Sequence, residues 1–175
     1  MKLASLVVAL VLPAAALAQH SHYAGQQSRE LKALSAEEVK QYLSGAGMGY
    51  AKPAELNLFP GPMHVLEHAG ALGLSDAQRA ATKQLMDEHK AEARAIGARV
   101  VEAERDLEAL FRAGSVDEDR LKTAVQRAGF LQAEYRLSHL ETHRRMRALL
   151  TDKQVIEYHH ARGYGAPAAQ SGHKH

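Results

Sequence analysis

The stretch of sequence that decides the fold is residues 109–121, ALFRAGSVDEDRL. Gly114 separates two long segments with helical spacing of apolar residues, and glycine is common just past the end of a helix. Ser115 and Glu118 have the spacing of a capping box, in which the hydroxyl accepts a free N–H group and the glutamate reaches back to the cap. Because the connection is so short, the two helices must turn back on one another. The stretch therefore predicts an antiparallel helical hairpin.

Apolar stripes on both sides of this turn predict two long helices, over 76–113 and 116–149. The stripe on the first helix consists of Leu85, Ile96, Val100, Ala103, Leu107 and Leu110. The stripe on the second consists of Leu121, Val125, Ala128, Leu131, Tyr135 and Leu149. We expect the two stripes to face each other and to form the core of an all-α protein.

Three further capping boxes predict where other helices begin: Ser35 with Glu38, Ser75 with Gln78, and Thr151 with Gln154. Besides the hairpin, we predict short flanking helices over 35–44, 63–72 and 152–162. The Gly- and Pro-rich segment 45–62 is predicted to be an ordered loop or a short helix between turns.

The two ends of the chain have the composition of a targeting segment and a tail. Residues 1–18 contain the basic Lys2, an apolar run and the small-x-small sequence Ala16-Leu17-Ala18, which are typical of a secretory signal peptide cleaved after Ala18. The apolar run is shorter than the ~20 residues that a membrane-spanning helix needs. We therefore expect an exported, periplasmic protein. The other predicted units are an N-terminal extension at 19–62, a helical-hairpin domain at 63–162 and a disordered tail at 163–175.

The composition excludes some classes of partner and ligand. The 175-residue chain carries 22 Lys and Arg against 20 Asp and Glu, and these charges are interspersed. This near balance lacks the basic surface that nucleic-acid binding requires, so we expect no nucleic-acid partner. No cysteine is present, so a metal site in this chain must use histidine, methionine and carboxylates.

Two histidine pairs with four-residue spacing are the candidate functional residues: His64 with His68, and His139 with His143. Residues at i and i+4 share a helix face, with Cβ atoms roughly 5–6 Å apart, so both imidazoles of a pair can reach one ion. Imidazole is a suitable ligand for Zn, Cu, Ni and Co. The pairs therefore predict a site for one of these transition metals.

Helix geometry predicts that the two pairs converge at one end of the hairpin. Counting back from a turn at 114–115 along both long helices places His89 beside His139. The short helix with the first pair turns back towards the same end. Asp87 and Met146 lie nearby on the two long helices and are additional candidate ligands. Whether the pairs form one site, two sites or a site shared across a dimer stays open.

An enzymatic interpretation of the first pair is the alternative. His64-Val65-Leu66-Glu67-His68 matches H-x-x-E-H, a zinc-protease pattern in which the glutamate is the general base. The chain, however, is small and has no recognisable substrate-binding domain, glycine-rich phosphate loop or ordered set of Ser, His and Asp. We therefore expect no enzymatic activity. Glu67 is interpreted as an exposed residue or as one that orients a histidine ligand.

These features together resemble the Spy/CpxP superfamily of periplasmic stress proteins. The resemblance rests on the signal peptide, the helical hairpin and the boxes Leu74-Ser75-Asp76-Ala77-Gln78 and Leu150-Thr151-Asp152-Lys153-Gln154, and it covers about residues 63–162. It implies a homodimer of hairpins. Members of the superfamily include ATP-independent chaperones, envelope-stress inhibitors and heavy-metal sensors.

Within the superfamily the sequence is most similar to the heavy-metal sensor branch. Sensors of this branch carry H-x-x-x-H before the first box, which the first histidine pair matches. They add a carboxylate on the next helix, for which Asp87 or Glu88 is the nearest match, and H-x-x-x-M before the second box. Here the second histidine pair, followed by Met146, replaces that last motif. The resemblance therefore implies a metal site with an altered ligand set.

We predict a periplasmic transition-metal-binding protein that acts in heavy-metal sensing or resistance. The alternative is an ATP-independent periplasmic chaperone, and a partner-binding helix bundle is a third hypothesis. Besides the metal ion and a second copy of the chain, the partners that these hypotheses imply are unfolded envelope proteins or a membrane signalling protein.

Overall fold

The structure, a computed structural model, describes residues 23–114 and 116–165. Within these ranges the chain is all helical, and the helices are α1 (Ala36–Ser44), α2 (Lys52–Glu55), α3 (Pro62–Glu67), α4 (Asp76–Arg112), α5 (Glu118–Ala148) and α6 (Asp152–Ala161). The long helices α4 and α5 pack against each other, and α1, α2 and α3 contact this pair. The all-α fold and the helical hairpin are therefore confirmed.

Two of the predicted capping boxes start α4 and α6 and also join these two helices. Ser75 accepts the N–H of Gln78 at 3.1 Å, and Thr151 accepts the N–H of Gln154 at 3.3 Å. The two glutamine side chains then donate to each other, at 2.9 and 3.0 Å. The boxes thus fix where α6 meets the open end of the hairpin. The box predicted at Ser35 starts α1 as expected.

The capping box predicted for Ser115 and Glu118 is wrong, because α5 begins at Glu118 itself. The N-cap is Asp117, whose carboxylate accepts the N–H of Arg120 at 3.0 Å. A carboxylate cap also interacts favourably with the positive end of the helix dipole. Ser115 lies outside the described residues. Gly114, with φ of +72°, lies at the turn as predicted.

The helix predicted over 63–72 is shorter than expected, since α3 ends at Glu67. Gly70 and Gly73 weaken helical structure beyond this point, and Gly73 adopts a φ of +58° that ends the segment. The N–H of His68 still donates to the carbonyl of His64 at 3.0 Å. The one-turn spacing of the first histidine pair is therefore kept.

Two clusters of buried side chains fill the molecule. The first core joins α1 to α4 and α5 and contains Leu31, Leu34, Tyr42, Ala93, Val100, Val101, Ala103, Ala128, Leu131 and Tyr135. The second core lies at the open end of the hairpin and contains Val65, Ala69, Leu72, Leu74, Leu85, Met146, Leu150, Val155 and Tyr158. Along α4 the change between cores falls after Leu85 and before Ala93. Along α5 it falls between Tyr135 and Met146.

One residue of the predicted apolar stripes, Val125, faces solvent with 51% of its surface exposed. The inner face of α5 instead runs through Leu121, Ala124, Ala128 and Leu131, which are buried or half-buried. Val125 directly follows Ala124 and so lies about 100° around the helix from it, on the side away from α4. The other stripe residues are buried or half-buried, as expected.

The N-terminal extension packs on the hairpin through a glycine contact. A Cβ atom built at Gly97 of α4 would lie 2.1 Å from the carbonyl oxygen of Tyr42 in α1. Only a residue without a side chain allows this approach. Leu31 and Leu34, which precede α1, are buried in the same core. The described part of the extension thus shares a hydrophobic core with the hairpin.

Among the described residues, no helix combines the length and the hydrophobicity that spanning a membrane requires. The predicted signal peptide lies outside the described residues, as do residues 166–175 of the predicted tail. The predicted short helix within 45–62 is present as α2, which contacts α5.

Candidate metal centre

The change from the first core to the second is marked by histidines. His89 of α4 and His139 of α5 meet there with ring centroids 4.5 Å apart and ring planes at 86°. His139 is buried, with 4% of its surface exposed. The predicted position of His89 beside His139 is therefore confirmed. This pair of polar rings therefore lies between the two apolar cores.

The hydrogen bonding of His139 leaves one ring nitrogen unused. Its Nδ1 lies 2.9 Å from the carbonyl oxygen of Tyr135. Because a carbonyl can only accept, Nδ1 must carry the proton, and Nε2 presents a lone pair. This Nε2 is buried without a hydrogen-bond partner, and so is Nδ1 of His89. Two unpartnered imidazole nitrogens thus occupy the boundary between the cores.

Burial also determines the charge of these rings. Together with the charge repulsion of His139 and His143, it lowers the pKa of His89 to about 4. Burial likewise lowers the pKa of His139, with a smaller contribution from the charge of His143, although the backbone of Tyr135, Ala46 and Gly45 opposes this change. Both rings are neutral at pH 7. Neutral imidazole is the form that binds metal ions.

His143 lies one helical turn beyond His139 and is fixed by a different segment. Its Nδ1 donates to the carbonyl oxygen of Phe59 at 2.7 Å. Nε2 therefore carries the lone pair, and it faces Gly61, where a Cβ atom would lie 3.1 Å away. The carboxylate of Glu55 lies 3.7 Å from Nδ1 of His143. Like His139, this ring is held through Nδ1 and offers Nε2.

In the first histidine pair, one ring is also held through its Nδ1 atom. His64 Nδ1 lies 2.7 Å from a carboxylate oxygen of Glu67, and this hydrogen bond lowers the pKa of Glu67. Glu67 therefore has the orienting position that the sequence suggested. His68 contacts the ring of Tyr158 edge-on, with centroids 6.4 Å apart. Tyr158 in turn donates to Glu55 at 2.6 Å, so the first pair reaches His143 through two intermediate residues.

The other predicted ligands are placed differently. Asp87 is exposed on α4. Met146 is fully buried in the second core. In the part of the chain that the structure describes, no three His, Cys, Asp or Glu side chains are already grouped to hold an ion. The structure thus places the rings of His89 and His139 in contact, with His143 one helical turn further along α5. His64 lies in α3, and His68 directly follows it.

Glu55 is the residue that the sequence analysis missed. It is the only acidic residue between Glu38 and Glu67, and this isolation within a Gly- and Pro-rich segment is the signal that could have found it. Its carboxylate accepts from Tyr158 and Arg162 on one oxygen and from the N–H of Gly61 on the other. A half-buried carboxylate with partners in three segments positions the chain around His143.

The residues present fit a transition-metal ion in their chemistry. Nitrogen donors in neutral form suit the borderline metals Zn, Cu, Ni and Co. A metal-binding histidine almost always donates its other ring N–H to a carboxylate or a carbonyl. His64, His139 and His143 each show this second bond. In these three rings the proton therefore lies on Nδ1 and the lone pair on Nε2, as in a metal-binding histidine.

Comparison with known protein families matches residues 4–156 to a family described as heavy-metal resistance. No curated protein and no solved structure matches the chain. The matched residues cover the N-terminal extension, the hairpin and the start of α6, so every candidate ligand lies within them.

Proposed function

This chain belongs to the heavy-metal resistance family, within the Spy/CpxP-like helical superfamily, and we propose that it binds a transition-metal ion through histidines at the boundary between its two cores. The family is one of non-enzymatic resistance and binding proteins. The proposed ligands at this boundary are His89, His139 and His143. His64 and His68 supply a second pair of imidazoles near the same end of the hairpin.

The observation that carries the proposal is the pair of unpartnered buried nitrogens, His89 Nδ1 and His139 Nε2. A buried polar atom without a partner costs about 1–3 kcal/mol, so these two atoms, on rings that contact each other, lower the stability of the metal-free fold. A bound cation would satisfy both. Asp87 and Met146 support the proposal less, because Asp87 is exposed and Met146 is buried among apolar side chains.

The proposal extends to the setting in which the protein works. We propose export to the periplasm with cleavage after Ala18, and a homodimer that senses, buffers or confers resistance to the metal. N-terminal sequencing of the exported protein tests the cleavage. Sedimentation of the purified chain tests the dimer.

Metal titration tests the binding site. We expect the purified chain to bind one or more of Zn, Co, Ni and Cu in calorimetric titrations. His139→Ala and the double variant His64→Ala/His68→Ala should each lower affinity or stoichiometry. The control is His160→Ala, because His160 is exposed on α6 and outside the proposed site. Binding that is unchanged in the first two variants would overturn the site assignment.

A chaperone activity is the second candidate, and exposed apolar residues favour it. Phe111, Phe130 and Leu137 are each more than half exposed, at 59%, 61% and 56%. Phe130 and Leu137 are seven residues apart on α5 and therefore share one exposed helix face, which an unfolded client would contact. An aggregation assay with and without a chelator separates the two functions. Protection that ignores both the chelator and the histidine variants would favour the chaperone.

A further inference from the structure

Glu55 connects more elements than any neighbouring polar residue of its segment. From α2 it reaches Tyr158 and Arg162 near the end of the chain, the backbone N–H of Gly61, and the His143 ring on α5. Only 13% of its side-chain surface is exposed to solvent. A carboxylate with so little water must be stabilised by its partners. Glu55 is therefore held in one place by the fold.

The two oxygens of the Glu55 carboxylate have different partners. Oε1 accepts from the Tyr158 hydroxyl at 2.6 Å and from Arg162 Nε at 3.4 Å. Burial raises the pKa of Tyr158 well above its ordinary value, so this hydroxyl stays a donor. Oε2 is left to face Gly61 N at 3.2 Å and His143 Nδ1 at 3.7 Å. The first oxygen anchors the carboxylate, and the second is directed at the histidine.

We propose that Glu55 is a positioning residue for the metal centre: with the Phe59 carbonyl, its carboxylate keeps the proton of His143 on Nδ1 and so presents Nε2 to the ion. This inference rests on the proposed function. A negative charge beside Nδ1 favours the tautomer with its proton on that side. It also makes the opposite nitrogen a better electron donor, as carboxylates behind metal-bound histidines do.

The same geometry gives Glu55 a second effect when a cation is bound at Nε2. Such a cation would make the ring more positive and so increase its attraction to the carboxylate 3.7 Å from Nδ1. Because Glu55 is also bonded to Tyr158 and Arg162, binding at His143 would tighten the contact between α2 and the C-terminal helix. The positioning residue thus links the ion to two elements that do not touch it.

The test is Glu55→Gln, which keeps the size of the side chain and removes its charge. In the metal-free protein, side-chain nitrogen NMR should show His143 with its proton on Nδ1. The variant should show a larger share of the other tautomer, because only the Phe59 carbonyl then favours a proton on Nδ1. Zn²⁺ affinity should fall by about 10- to 100-fold, the usual effect of removing such a partner. The matched control is Glu141→Gln, because Glu141 lies on the same helix as His143 but pairs with Arg144 at the surface.

The outcomes separate this inference from the proposed function. If the His143 tautomer is the same in Glu55→Gln and in the parent chain, the positioning role is wrong, whether or not Zn²⁺ binds. If the parent chain binds no metal, the proposed function fails, while the NMR comparison still decides the role of Glu55. Should Glu55→Gln not fold, Tyr158→Phe keeps the buried ring and removes the shorter bond that anchors Glu55. An unchanged His143 spectrum in that variant would also overturn the inference.

Discussion

At His139 a polar ring occupies a position that an apolar side chain would fill at lower cost. The ring is buried, it uses one nitrogen on a backbone carbonyl, and it leaves the other without a partner. Replacing a buried unsatisfied group by an apolar one is often neutral or stabilising. Residues that lower stability in this way are typical of functional sites. The stability of the metal-free protein can therefore reveal whether the site is functional.

We expect His139→Leu to leave the free energy of unfolding of the metal-free protein unchanged within about 1 kcal/mol, or to raise it. The same variant should lose the stabilisation that added metal gives the parent chain. Urea unfolding with a chelator, then with Zn²⁺, measures both effects. A loss above about 3 kcal/mol in the metal-free protein would show that the ring is needed for packing.

Glu104 presents a second buried polar group, in the first core. It is 7% exposed, and burial raises the pKa of its carboxyl although Gln132 donates to it at 2.9 Å. An acid with a raised pKa in the folded state loses its proton first in the unfolded state. Glu104 therefore lowers stability progressively as the pH rises from the unfolded pKa to the folded pKa.

Glu104→Gln should raise the free energy of unfolding at pH 7 by more than about 0.5 kcal/mol, the usual limit for a surface substitution. At pH 4 the increase in the free energy of unfolding should be smaller. Urea titrations at the two pH values measure this. Glu102→Gln is the control, because Glu102 is on the same helix, is 65% exposed and pairs with Arg127 at only 3.8 Å. Equal effects of the two variants would contradict the burial argument.

At the scale of elements, the contact between α1 and α4 depends on one missing side chain. Gly97 brings the backbone of Tyr42 so close that a Cβ atom would meet its carbonyl oxygen at 2.1 Å and its carbonyl carbon at 2.7 Å. Backbone atoms cannot move aside as the end of a flexible side chain can. The approach also sets the path of the chain as it leaves α1 towards the histidines.

Gly97→Ala should therefore destabilise the protein by about 1–3 kcal/mol, the usual cost of overpacking, although alanine favours helix. Gly129→Ala is the matched control, because Gly129 lies in α5 with nothing within 4 Å of its added Cβ. That change should stabilise the protein by roughly 0.5–1 kcal/mol through helix propensity. Thermal unfolding of both variants measures the difference, and effects of the same sign would contradict the role given to Gly97.

The elements also show how far the sequence predicts the structure. The helix starts at Ser75 and Thr151 were predictable because a capping box is a local hydrogen-bond pattern. The level of His89 against His139 was predictable because a helix has a fixed rise and the turn is short. The start of α5 was predicted wrongly, since Asp117 offers a competing cap within the same local stretch.

Glu55 could not be predicted for a different reason. Its contacts depend on the path of the segment 45–61, which contains four glycines and two prolines and has no periodic pattern. Its partners Tyr158 and Arg162 lie more than a hundred positions away along the chain. Neither local propensity nor helix register carries this information. The part of the candidate site supplied by the two long helices was foreseen, and the part supplied by the loop was not.

At the scale of the whole molecule, the segment 45–61 forms a cover over the histidines. Tyr135 donates to the carbonyl of Ala46 at 2.6 Å, a Cβ at Gly47 would lie 3.8 Å from the His139 ring, and Phe59 accepts from His143. On the proposed function, an ion from solution would reach His139 and His143 only when this cover lifts. Openings of this kind take microseconds to seconds.

We expect the rate of metal association to rise with metal concentration and then to level off at the rate of opening. Tyr135→Phe removes one bond that fastens the cover and keeps every proposed ligand, so it should raise the limiting rate without changing the stoichiometry. Stopped-flow mixing with Zn²⁺ or Co²⁺ measures both quantities. A rate that stays proportional to concentration in both proteins would show that the histidines are open to solvent.

The cover has a consequence for release as well as for capture. An opening that limits entry also limits exit, so the bound ion would stay for a time set by the protein and would outlast brief falls in the free metal around it. The molecule would then report the average metal supply over that residence time and would filter out short fluctuations. The Gly- and Pro-rich segment would in this way set the response time of the proposed metal centre.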